Sequence, residues 1–145
     1  MDIEIWSDTE IEISKDCTIF RMNGLMTCPI CLKHKTEYDK HHVIWKCDGG
    51  KDIPENLLNI CTSCHALMTF SREKEDHILN CVATRFAAAV HGINFVKNIP
   101  NFKIVDEVDV DVLDQLIKRS FQQQYVECLA EIKNGTWEEY LFGDI

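Results

Sequence analysis

The sequence predicts an α+β fold, on three grounds. Two Cys-x-x-Cys pairs, Cys28/Cys31 and Cys61/Cys64, bracket a stretch that reads strand, loop, short strand, helix. The first twenty residues alternate apolar and acidic side chains with period two. The second half carries apolar stripes at helical spacing. The expected architecture is a small ββα core stapled by a four-cysteine zinc site, with a short N-terminal β segment and a helical C-terminal extension. The corresponding division is residues 1–25, 26–72 and 73–145.

Each element has its own warrant. Ile3, Ile5, Ile11, Ile13 and Ile19 fall at alternating positions, so one or two short strands are expected before Phe20. Tyr38 to Trp45 is rich in β-branched and aromatic residues and reads as a strand. Asp48-Gly49-Gly50 is a turn or loop. Pro54-Glu55-Asn56 leads into a short buried stretch, Leu57 to Ile60, and a helix begins near Cys61 or Thr62. A second helix is expected from about Ser71 or Glu73 to His91. Its stripe is Ile78, Leu79, Val82, Phe86 and Val90, and Gly92 stops it. Residues 93–108 read as irregular or extended. A third helix runs from about Asp111 to Asn134 with Gly135 at its end, and Trp137 to Phe142 adds a short helical turn.

Composition narrows the function classes. With 46% hydrophobic and 27% charged residues the chain has the balance of a soluble globular domain. No apolar run reaches the roughly 18 residues a membrane span needs, so no membrane partner is expected. Met1 to Trp6 is acidic and lacks the basic and apolar regions of a signal peptide, so a cytoplasmic or otherwise reducing location is expected. In such a compartment paired cysteines read first as metal ligands. Cys17, Cys47, Cys81 and Cys128 are scattered and read as small buried hydrophobes.

The net charge of −9 is unevenly spread. Residues 1–14 carry five acids and no base, residues 15–103 sum to +3, and residues 104–145 sum to −7. The mildly basic centre permits phosphate binding, and the acidic end suits a protein partner. The acidic run from Asp106 to Asp111 reads as a solvated face, and His34, His77 and His91 as surface or capping residues.

Each Cys-x-x-Cys turn can present two thiolates to one ion, and four thiolates complete a tetrahedral Zn²⁺ site. Such a site has no open position, so its zinc is structural. The 29 residues between the pairs exceed a common zinc-ribbon interval and leave room for a ββα insertion. They enclose His41, His42 and Asn56, and His65 follows Cys64 directly. Singly, each of these has a structural explanation: histidines cap or pack, Asn56 turns the chain, and His65 is a fifth candidate ligand. Jointly they point further. Neighbouring residues on a strand face opposite ways, so His41 and His42 need not share a task, and His65 on the next helix can approach one of them.

The run His41-His42-Val43-Ile44, Gly49-Gly50, Pro54-Glu55-Asn56-Leu57, Ile60-Cys61-Thr62-Ser63-Cys64-His65 resembles the HNH endonuclease family and its ββα-metal fold. The flanking cysteine pairs resemble its zinc-stapled subgroup, and the resemblance covers about residues 26–70. It implies that His42 is the general base and that His41 and His65 hold one catalytic divalent ion. Asn56 then fixes the loop or binds metal. It also implies DNA as substrate, products with 5′-phosphate and 3′-hydroxyl ends, and Mg²⁺, Mn²⁺, Ni²⁺ or Zn²⁺ as the catalytic ion. Small phage and mobile-element proteins of the family look like this. Where some members carry a further histidine, this chain has Thr69. Two function classes follow: a metal-dependent nuclease, or a non-catalytic zinc-stapled module that recruits a protein or nucleic acid, its acidic C-terminal helices serving a protein partner.

Overall fold

The computed structural model describes residues 9–73, 78–103 and 108–134. It is an α+β fold, as the sequence predicts. Strands β1 (Thr9–Ile13) and β2 (Thr18–Met22) form an antiparallel hairpin, and β2 turns back into the short β3 (Leu25–Met26). Asn23 and Gly24 join the latter pair, both at positive φ (53° and 79°), the two-residue turn whose twist matches a hairpin. β4 (Tyr38–His42) pairs antiparallel with β5 (Leu57–Cys61), and β5 meets β2 in parallel, giving the order β1-β2-β5-β4. β5 is central and all five of its residues are buried, which explains its nearly unbroken apolar run.

Four helices follow: α1 (Thr62–Glu73), α2 (Ile78–His91), α3 (Ile93–Val96) and α4 (Val110–Asn134). Leu79, Val82 and Phe86 of the expected stripe are fully buried. The Phe86 ring meets Phe20 of β2 edge-on at 5.1 Å and Tyr125 of α4 at 5.2 Å, so strand and helices share one core. The four paired cysteines belong to that core. Tyr125, fully buried, donates its hydroxyl proton to the Pro29 carbonyl and ties α4 to the first cysteine turn. Asp109 caps α4, its Oδ1 accepting the N–H groups of Asp111 and Val112 at 3.0 and 3.2 Å. Among the described residues no helix is long and apolar enough to cross a membrane.

Several expectations change. β4 stops at His42 rather than reaching Trp45, because Asn56 captures the backbone of residues 43 and 44. Of the helix foreseen from Ser71 or Glu73 to His91, residues 71–73 belong to α1 and residues 78–91 form α2, and residues 74–77 lie outside the described residues. Residues 93–96 are helical, not extended. Gly92, at φ 56°, breaks α2, and a Cβ there would lie 2.2 Å from Asp114 Oδ1. That same oxygen accepts the Ile93 N–H at 2.9 Å, and Ile93, Phe95 and Val96 are buried. The strand positions Ile3 and Ile5, His77, the acids Asp106 and Glu107, and the turn from Trp137 to Phe142 lie outside the described residues.

His91 is not a surface residue. It is 5% exposed, and its Nε2 lies 2.8 Å from Thr18 Oγ1. The Thr18 hydroxyl proton goes to the Pro54 carbonyl at 2.7 Å, so His91 must be the donor to Thr18. Burial lowers its pKa, with Glu55 opposing and Lys118 adding to the shift.

Candidate metal centre and active site

The four sulfurs of Cys28, Cys31, Cys61 and Cys64 lie within 4.8 Å of one another. The Cys31 and Cys61 sulfurs are 3.9 Å apart, against about 3.8 Å across a tetrahedron with ~2.3 Å zinc–sulfur bonds. Local structure prepares both turns. Leu32, at φ 60°, lets its N–H return to the Cys28 carbonyl at 2.8 Å. Cys61 closes β5 and Cys64 lies in the first turn of α1, with the Cys64 N–H directed at Cys61 Sγ at 3.4 Å.

Electrostatics favours a cation at this point. Burial pushes the Cys28 thiol well above its ordinary value. Hydrogen bonds from Cys28, Cys31 and Cys64 hold Cys61 far below it, and the partner bonds push Cys64 far up. A hydrogen bond with Cys28 lowers Cys31 as well, so two sulfurs ionise readily and two resist, and four thiolates coexist only around a dication. The donor set and spacing therefore fit a structural, zinc-type site.

The enclosed histidines gather at the far end of β4. His41 is 3% exposed, and its ring stands 5.4 Å from that of His65 and 6.0 Å from that of Trp45, edge-on to both. Burial, with repulsion from His65 and His42, holds the His41 pKa down to about 3, so the ring is neutral at physiological pH. Its Nε2 is buried without a hydrogen-bond partner. Leaving such a buried polar atom unpaired costs about 1–3 kcal/mol, so this nitrogen is one that a ligand could satisfy.

Two carboxylates that sequence reasoning missed orient the other histidines. Asp39 Oδ2 is 3.0 Å from His65 Nδ1, and Asp52 Oδ1 is 2.6 Å from His42 Nε2. A carboxylate only accepts, so His65 donates from Nδ1 and His42 from Nε2. In their neutral forms His65 then keeps its lone pair on Nε2 and His42 on Nδ1. The His42 bond in turn holds the Asp52 carboxyl below its ordinary value. Asp39 had a legible signal, since it lies two residues before His41 on one strand and shares its face. Asp52 had none, because it sits in an irregular loop.

Asn56, 1% exposed, holds that loop. Its Oδ1 accepts the Ile44 N–H at 2.7 Å, and its Nδ2 donates to the carbonyls of Ile44 (3.1 Å) and Lys51 (3.0 Å). Its side chain thus binds backbone through both polar atoms. Gly50 makes room for it: a Cβ there would lie 1.7 Å from the Ile44 carbonyl oxygen and 3.0 Å from Asn56 Nδ2. Gly50→Ala therefore lowers stability by about 1–3 kcal/mol. Urea denaturation checks this, and an unchanged midpoint would refute the crowding argument.

His41, His42, Trp45, Lys46, Cys47 and His65 line one pocket of about 180 Å³. Thr69 stays apart from it chemically, its hydroxyl turned back on the His65 carbonyl at 3.1 Å. Of the scattered cysteines Cys17 and Cys128 are buried and Cys81 half-buried, but Cys47 is exposed, because it lies on a short 3-10 turn, Lys46–Asp48, with no buried residue.

Residues 28–70 match the family of HNH endonucleases, which bears out the resemblance read from the motif residues. The match begins at the first zinc-type ligand, spans the histidines and Asn56, and ends within α1. No curated protein and no solved structure matches the chain.

Proposed function

We propose that the segment matching the HNH family makes this protein a metal-dependent endonuclease that hydrolyses DNA phosphodiester bonds. The observation that carries the reading is the buried, partnerless His41 Nε2 beside His65. His41 and His65 would hold one divalent ion, Mg²⁺, Mn²⁺, Ni²⁺ or Zn²⁺, with imidazole favouring the later transition metals. When bound, the ion neutralises charge developing on the scissile phosphate and the leaving oxygen.

The chain's own residues do the rest. Asp39 fixes the ring and tautomer of His65, leaving Nε2 to the ion. Asp52 takes the Nε2–H of His42, so Nδ1 is the atom that accepts a proton from water as general base. Asn56 keeps residues 43–51 closed, which holds both histidines at the pocket. Lys46 lines the same pocket and offers a cation to phosphate. Residues 26–72 carry this chemistry in our reading, and α2 and α4 buttress it through the shared core.

The test is supercoiled, nicked and single-stranded DNA, with RNA alongside, incubated with each ion and with chelator. Cleavage that needs the ion and leaves 5′-phosphate and 3′-hydroxyl ends is expected. Intact substrates with every ion would sink the reading. A finer result concerns Asp39: Asp39→Ala weakens binding of the second ion by about 10–100-fold and leaves the four-cysteine zinc in place. Calorimetry with Mn²⁺ or Ni²⁺ reads this, and equal affinities would remove Asp39 from the site.

One observation favours a second reading, a non-catalytic module that recruits a partner. Val110, Val112 and Leu116 are exposed on α4 beside the exposed acids Asp109 and Asp111. A chain that binds DNA or protein but cuts nothing under any ion would support it.

A further inference from the structure

One wall of the pocket belongs to a residue that the nuclease reading leaves without a role. Cys47 is the exposed cysteine among those described, and it lines the pocket together with His41, His42 and His65. Its Sγ lies 3.8 Å from Asp48 Oδ1. Among the polar side chains of the lining His41 is a built feature: it is 3% exposed and its Nε2 has no partner. The exposed thiol and the ring that carries this orphaned nitrogen therefore line one pocket. The pocket measures about 180 Å³, so a substituent carried on the Cys47 sulfur competes for the same space as an ion at His41 and His65.

We propose that Cys47 is a modification site of this pocket, a thiol that exchanges with low-molecular-weight disulfides, and that its adduct closes the space around His41 and His65. Accessibility selects it, since Cys17, Cys128 and the four zinc-type ligands are buried and Cys81 is half-buried. In the exchange the Cys47 thiolate attacks one sulfur of a disulfide RSSR. A Cys47–S–S–R bond forms, the S–S bond of the reagent breaks, and the departing RS⁻ takes up the proton that Cys47 released. Excess thiol runs the step backwards. The proposal rests on the reading of this pocket as the site of the second ion, and its test separates the two.

The full chain, with its structural zinc, is treated with oxidised glutathione and mapped by mass spectrometry. One adduct is expected, on Cys47, forming faster than on any other cysteine and removed by dithiothreitol. The adduct lowers Mn²⁺ or Ni²⁺ binding at the second site by about tenfold or more, an effect of the size seen when a site's surroundings are disturbed. Zinc content stays unchanged. Cys47→Ser takes no adduct there, and its ion affinity is the same before and after treatment. Labelling that falls on Cys81 first would overturn the proposal. So would a Cys47 adduct that binds the ion as tightly as untreated protein. If untreated protein binds no second ion, the reading of His41 and His65 fails and the claim that the adduct closes an ion site falls with it. The mapping then still decides whether Cys47 is the reactive thiol.

Discussion

His42→Ala lowers DNA cleavage by about 10²–10⁴-fold, the usual weight of a positioned general base, while fold and metal content stay as they are. The two halves of that result have separate causes. The side chain of His42 is 29% exposed at the end of β4, and its one hydrogen bond runs to an exposed carboxylate, so its loss leaves no buried cavity. His41 and His65 are untouched, so the second ion binds with unchanged affinity. The loss should fall on kcat, since base catalysis acts in the transition state and not on substrate binding. Single-turnover cleavage, zinc analysis and thermal melting read the three expectations. A variant that cuts at the wild-type rate removes His42 from the mechanism. A variant that fails to fold is distinguished by its melt, and His42→Gln then repeats the test with a side chain closer in size.

Cys61→Ser unfolds the protein. Cys61 is 2% exposed at the end of the central strand, and its sulfur receives the Cys64 N–H. Binding of a structural zinc is worth about 10–16 kcal/mol, as much as or more than the roughly 5–15 kcal/mol that hold an ordinary domain together. A serine hydroxyl is a poor substitute for a thiolate, and the loss reaches three layers at once, because the cysteine turns contact β5, α1 and, through Pro29 and Tyr125, α4. Circular dichroism should lose its cooperative transition, and zinc per chain should fall to none. A strong chelator should do the same to the unaltered chain. A zinc-free variant that still melts cooperatively would show that the apolar core alone sustains the fold. Cys17→Ser offers the contrast, since Cys17 lies outside the cluster and its loss should cost far less.

Much of this was legible in the sequence because the signals are local. Two Cys-x-x-Cys pairs of matched spacing point to a shared ion on local grounds. Period-two alternation put strands before Phe20, and helical spacing with an acidic start marked α4 to within one residue of Val110. The motif residues His41, His42, Asn56 and His65 sat at spacings that a ββα unit requires, and the observed β4, β5 and α1 are that unit.

What chain order alone could not supply was the partner of each group. Asp39 reaches His65 across 26 positions, Asp52 reaches His42 across 10, and His91 reaches Thr18 across 73. Those contacts set which imidazole nitrogen keeps its lone pair. The burial of His91 and the exposure of Cys47 were likewise decided by which neighbours the fold brought over them, not by residue type. Short-range geometry and periodicity are properties of the chain, so the sequence by itself determined the metal-type staple, most of the elements and the candidate site residues, while the end of β4 and the helical turn at residues 93–96 were left to the fold. Tautomer, burial and access depend on atoms distant in sequence, so only the tertiary structure decided how those residues are poised to act.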